Sequence, residues 1–201
     1  MTDDTPTGET LIDETPPANS PHLNRPGPRA ARIREMLRVD HAGEYGAVQI
    51  YKGQRAVFDK LPHKARIAGL LKEMEEGEYE HLHAFDRLLM EHRSRPTIFA
   101  PVWDVAGFAL GAGTALMGEK AAMACTSAVE EVIEQHYKAQ AEEVGDTDPE
   151  MRDRFLKFRA DEIGHKDTAL AEGAEETPGY GLLKGVIQAG CHLAIRVSEK
   201  L

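Results

Sequence analysis

Residues 67–89 read IAGLLKEMEEGEYEHLHAFDRLL, with apolar side chains three or four positions apart at Ile67, Leu70, Leu71, Met74, Leu82, Phe85, Leu88 and Leu89. That period belongs to a helix with one face in a core. Glu78 and His81 lie on the same stripe, where the pattern asks for a hydrophobe. An ionised carboxylate left alone in a core is strongly destabilising or takes up a proton.

The same anomaly recurs along the chain. Glu162 and His165 share a stripe with Met151, Phe155, Phe158 and Ala169. Glu44 falls between Leu37 and Val48/Tyr51, and Glu130 between Met123/Ser127 and Ile133/Tyr137. Periodicity favours Glu130 over its neighbour Glu131. Coincidence accounts for one such residue, whereas four on four helices call for a common cation.

Glu78-x-x-His81 and Glu162-x-x-His165 each project a carboxylate and an imidazole from one helical face. A Glu-x-x-His on each of two helices, with a single glutamate on each of two others, is the ligand set of ferritin-like bundles that hold two metals. Two checks are internal. At 1.5 Å rise per residue, all four groups lie about 25 Å from the turns that join their helices, and so at one level. Glu44-x6-Tyr51-Lys52-x-Gln54 also recurs as Glu130-x6-Tyr137-Lys138-x-Gln140, each followed by its Glu-x-x-His 34 or 32 residues after the glutamate. Oxygen-rich ligation with two imidazoles suits iron or manganese better than copper or structural zinc. His41, His63, His83, His92 and His192 read as surface or supporting groups; His41, three residues before Glu44, is placed to hydrogen-bond within the site, and His136 stands in a similar position beside Tyr137.

The whole chain is predicted all-α. Helices are expected over about 29–58, 63–93, 102–144 with a break within 111–118, 149–172 and from Thr177-Pro178 to the end. Asp148-Pro149 is an N-cap followed by Pro at the first helical position. Residues 1–28, rich in Thr, Pro, Asp and Glu, read as a disordered tail and 29–201 as one domain. The tail resembles neither a secretory signal nor a transit peptide.

The formal net charge of −10 argues against nucleic acid as a partner. Cys125 and Cys191 are the two cysteines and form no CxxC, so neither a zinc knuckle nor a rubredoxin-type centre can be built from them. Both read as buried small hydrophobes in a reducing compartment.

Two further stretches are unusually apolar. Residues 102–118, VWDVAGFALGAGTALMG, carry one charge and four glycines, and residues 180–197 add Leu182, Leu183, Val186, Ile187, Leu193, Ile195 and Val197. Both approach the lower limit for a bilayer span. Core packing is one reading. The other is a face lying on the membrane, with Trp103 at the interface and a lipid substrate entering beside it.

The strings RVDHAGEYGAVQIYKGQ (38–54), ACTSAVEEVIEQHY (124–137) and GLLKGVIQAGCHLAIRVSEKL (181–201) resemble the demethoxyubiquinone hydroxylase family of ubiquinone biosynthesis. The likeness runs over about residues 33–201, and the family's ligands fall on Glu44, Glu78, His81, Glu130, Glu162 and His165. It implies a ferritin-like four-helix bundle with added membrane-associating segments. It further implies a di-iron monooxygenase that uses dioxygen to hydroxylate a polyprenylated methoxy-methyl-benzoquinol before the last O-methylation. Two irons per chain, NADH or the quinol itself as reductant, and Tyr137 and His136 as a relay belong to that expectation. So do a peripheral position on the cytoplasmic face of a bacterial membrane, contact with other quinone-biosynthesis proteins, and room for a homo-oligomer. The competing readings are a ferroxidase or iron-storage bundle, which needs no apolar segments, and a peroxide-reducing bundle, which needs a cysteine module.

Overall fold

The computed structural model describes residues 28–200. The tail expected to be disordered therefore lies outside the described residues except at Pro28, which opens the first helix. Six helices follow: α1 (Pro28–Phe58), α2 (Ala65–Glu91), α3 (Ala100–Leu116), α4 (Glu119–Val144), α5 (Pro149–Ala171) and α6 (Tyr180–Lys200). Single 3₁₀ turns precede α2, α5 and α6 at Pro62–Lys64, Gly145–Thr147 and Ala174–Glu176. No strand occurs among the described residues, as the periodicity predicts.

Local chemistry sets the helix ends. Asp148 accepts the Met151 N–H at 3.2 Å and Pro149 opens α5, which is the cap expected from the sequence. The long stretch expected over 102–144 is two helices, parted at Met117-Gly118, where Gly118 takes φ 117. The start signal at Thr177-Pro178 acts later than expected. Thr177 is extended and Gly179 has φ 73, neither of which is helical, so α6 begins at Tyr180.

α1 packs on α2 and α4 on α5, forming the two hairpins of the bundle, while α3 lies along α1 and α6 against α4 and α1. The interior contains three apolar clusters, and two of them lie toward the ends of the bundle. Ile33, Leu37, Phe85, Tyr137, Phe155 and Phe158 belong to the first, and Tyr51, Phe58, Ile67, Leu71, Met123 and Ala169 to the second. On each bundle helix a glutamate of the stripe falls in sequence between the two clusters. The site is thus a polar layer between greasy ends.

α3 touches α1 backbone to backbone at two glycines. A Cβ at Gly53 would stand 2.2 Å from the Phe108 carbonyl oxygen, and one at Gly111 would stand 2.0 Å from that of Ile50. Only glycine allows this approach. The opposite faces of α3 and α6 leave Val102, Val105, Phe108, Leu116, Leu182, Val186 and Leu193 exposed. No described helix is long and apolar enough to cross a membrane.

Candidate metal centre

Glu44, Glu78 and Glu162 are completely buried, Glu130 is 1 % exposed, and His81 is also buried. One potential ligand atom from each of Glu44, Glu78, His81 and Glu162 lies within 4.8 Å of the others, and the same holds for Glu78, Glu130, Glu162 and His165. Glu78 and Glu162 belong to both groups. The six stripe residues are therefore brought together as two adjoining pockets with a shared carboxylate pair, one carboxylate from each Glu-x-x-His helix.

Unsatisfied atoms mark the same pattern. Of fifteen buried side-chain atoms that make no well-directed hydrogen bond among the described residues, eight belong to these six: Glu44 Oε2, Glu130 Oε2, His81 Nδ1, His165 Nδ1 and both carboxylate oxygens of Glu78 and Glu162. Such atoms are rare in native interiors because desolvating them is costly. Here the four outer residues leave one atom each and the two central ones leave both, the valence two cations would complete.

Without a metal the imidazoles neutralise the carboxylates. His165 Nδ1 lies 2.8 Å from Glu78 Oε1, and His81 Nδ1 lies 3.0 Å from Glu162 Oε1 and 3.5 Å from Glu44 Oε2. Burial alone would raise the Glu78 carboxyl, but His165 and His81 outweigh it and hold it at about 2. Burial would lower His165, which Glu162 and Glu78 nevertheless push up to about 10. His81 is raised in the same way, against burial, by Glu162, Glu44 and Glu78. Glu44 and Glu130 are displaced well above the usual carboxylate range, chiefly by burial.

The residues around the six include several that sequence reasoning missed. His81 Nε2 faces Asp161 Oδ2 at 3.1 Å, so its other nitrogen is held toward the carboxylates. The tyrosines of the internal repeat cross over. Tyr51 donates to Glu130 Oε1 at 2.6 Å, and Tyr137 donates to Glu44 Oε1. His136 touches none of the six; its Nε2 lies 3.3 Å from Asp40 Oδ1 and 3.0 Å from Gln140 Nε2. His41 is turned away from the site, onto Asp86 at 3.1 Å. Glu131 points elsewhere, to Lys184 at 2.6 Å, which agrees with the choice of Glu130.

Beside the centre, a cavity of about 410 Å³ opens between α1, α3, α4 and α6. Glycine and apolar side chains line it, among them Ile50, Trp103, Leu110, Ile133 and Ile187, and its wall includes Gly43 and Val129, which adjoin Glu44 and Glu130 in sequence. Cys191 also lines it and is half-buried, whereas Cys125 is fully enclosed, so the two cysteines are not alike.

An all-helical bundle with four buried glutamates and two histidines grouped in this way defines a protein able to hold a pair of metal ions in its core. The family described as ubiquinone biosynthesis protein COQ7 matches residues 31–198, and the chain belongs to that family. It is 50 % identical over 172 residues to the 3-demethoxyubiquinol 3-hydroxylase of Rhodospirillum rubrum, covering 86 % of this chain and 80 % of the relative. It is 46 % identical over 175 residues to the human NADPH-dependent 3-demethoxyubiquinone 3-hydroxylase, a mitochondrial protein, covering 85 % and 79 %. The mitochondrial 5-demethoxyubiquinone hydroxylase of Saccharomyces cerevisiae is 35 % identical over 189 residues, covering 86 % and 80 %.

Proposed function

We propose that this protein is a di-iron monooxygenase that hydroxylates the ring of a polyprenylated demethoxyubiquinol. The observation that carries the reading is the pair of adjoining groups that share Glu78 and Glu162 and leave eight buried atoms unsatisfied. Glu44 with His81 would hold one iron and Glu130 with His165 the other, with Glu78 and Glu162 between them. Carboxylate-rich ligation with one imidazole per metal suits iron. When bound, the pair supplies the reductive activation of dioxygen.

The chain's own residues do the rest. Tyr51 and Tyr137 hold one oxygen of Glu130 and of Glu44, leaving the other oxygen of each directed to the centre. Asp161 fixes the ring of His81. The apolar cavity excludes water and receives the quinol ring with the first part of its tail. The exposed apolar faces of α3 and α6 lie on the membrane surface, where the remaining isoprenoid stays in lipid. Tyr137, with His136 behind it, relays protons or electrons; Tyr137→Phe with unchanged metal content and unchanged turnover would dismiss that role.

The electron donor is a nicotinamide of the kind that the human relative's name specifies, or the quinol itself. A peripheral place on the cytoplasmic face of a bacterial membrane, beside other enzymes of quinone synthesis, completes the reading. The test is quinone analysis of a strain lacking the gene. The demethoxy precursor should accumulate and disappear when the wild-type gene is restored, but not when Glu78→Ala is supplied. A strain that makes normal ubiquinone without the gene would end the proposal.

A further inference from the structure

The internal repeat gives the centre an approximate twofold symmetry, and the polar groups behind the two tyrosines break it. Gln54 follows Tyr51 by three residues and donates to the Ala122 carbonyl at 3.0 Å and to Thr126 Oγ1 at 3.3 Å. Gln54 and Thr126 are buried, and neither titrates. Gln140 follows Tyr137 by the same three residues. It donates to the buried carboxylate of Asp40 at 2.8 Å, and its amide nitrogen also lies 3.0 Å from His136 Nε2. Asp40 precedes Glu44 by four residues, just as Thr126 precedes Glu130. One half is therefore backed by a neutral wall, and the other by a carboxylate and an imidazole.

The acidic half reaches solvent. The His136 side chain is 20 % exposed while that of Asp40 is fully buried, and 3.3 Å separates His136 Nε2 from Asp40 Oδ1. That nitrogen has two competing partners. As an acceptor it takes the Gln140 N–H, and as a donor it turns to Asp40. Gln140 Oε1 and Asp40 Oδ2 are both buried without a hydrogen bond among the described residues, so rotating the amide leaves an acceptor for either state.

We propose that His136, Gln140 and Asp40 form a proton inlet on the Glu44 side of the centre, with His136 as the outer donor and Asp40 as the inner acceptor. The proposal rests on the hydroxylase reading given above. In that reaction a ring C–H and dioxygen, with two electrons and two protons, give a ring C–OH and water. The electrons come from a nicotinamide or quinol reductant, and protons not carried by it must cross the protein to a buried site. Burial raises the Asp40 carboxyl above its ordinary range, against the pull of His136 and Gln140, which fits a group that accepts a proton. The other charged or titratable groups bearing on the pair are Arg32, Glu143 and Tyr137, with Arg32 itself held by Glu143, Glu35 and Glu199.

The test uses the iron-loaded full chain with a short-tailed demethoxyquinol, and reads iron content, turnover and the solvent deuterium isotope effect. Asp40→Asn and His136→Asn should each keep wild-type iron content while turnover falls roughly a hundredfold, the scale of a lost general acid. The isotope effect should rise in both. Asp40→Glu should restore most of the rate, and the double variant should be no slower than either single one. Thr126→Val on the neutral side should leave the isotope effect at its wild-type value. Wild-type turnover and isotope effect in His136→Asn, whose side chain is only partly buried, would overturn the inlet. So would loss of iron in Asp40→Asn, which would make Asp40 a structural support. Failure of the wild-type enzyme itself to hydroxylate the quinol would instead sink the reading on which the inlet rests.

Discussion

Tyr51 donates its hydroxyl to Glu130 at 2.6 Å, across the interior from α1 to α4, and Tyr137 returns the same bond to Glu44. Each hairpin thus steadies the single glutamate of the other. Tyr51→Phe keeps the ring's packing and removes only the donor. The fold should persist while metal affinity falls about 10–100-fold, as for other outer hydrogen bonds to metal ligands. Titration against a competing chelator would measure it.

Glu78 and Glu162 each belong to both ligand groups, whereas Glu44 and Glu130 belong to one each. Glu78→Ala or Glu162→Ala should therefore abolish binding of both metals, whereas Glu44→Ala or Glu130→Ala should leave the other half able to load. Metal analysis after equilibration with ferrous or manganous ion reads the stoichiometry. Equal loss in all four variants would show that the two halves are not separable.

Metal uptake should release protons. Burial raises Glu44 and Glu130, and their neighbours push His165 to about 10 and raise His81 as well, so at neutral pH these groups carry protons that a metal must displace. Affinity should accordingly climb as pH rises from acid through neutrality. Proton release on adding metal in weak buffer, followed with an indicator, checks the sign.

The sequence stripes single out the six residues that the fold brings together, because each violates a hydrophobic pattern on its own helix. The outer partners were not legible in the same way. Asp161, Asp40 and Gln140 sit at ordinary helical positions, and what makes them matter is a residue on another helix. The repeat displayed both tyrosines but could not tell that each serves the opposite glutamate. Glu75, within the acidic run Glu73–Glu80, is buried and takes Arg55 at 2.7 Å, a pairing that spans α1 and α2. Hydropathy leaves open whether α3 and α6 are core or a face on the membrane, and the fold lays one side of each against the bundle while the other stays exposed.

The seam between α1 and α3 should be intolerant of a methyl group. Gly111→Ala drives a Cβ into the Ile50 carbonyl and should cost about 3 kcal/mol, the upper part of the overpacking range. For a chain of this size that is a fall in Tm of roughly 6–12 °C. Gly113→Ala, on the same helix, meets nothing within 4 Å and should be neutral or stabilising. A thermal melt of the two side by side separates packing from helix propensity.

Val105 and Leu182 are 69 % and 77 % exposed on α3 and α6. Val105→Asp with Leu182→Asp should sharply reduce co-sedimentation with phospholipid vesicles and leave metal content unchanged. Undiminished sedimentation would remove these faces from the membrane contact.

On the membrane placement proposed above, the backbone-to-backbone seam at Gly53 and Gly111 would set how far the quinol must travel. Only one helix, about 10 Å across, then lies between the bilayer and the strand of chain that bears Glu44. A ring can cover that distance while most of its prenyl anchor stays dissolved in the leaflet. In that placement the protein would not extract its substrate, and products differing only in the far end of that anchor should leave at the same pace.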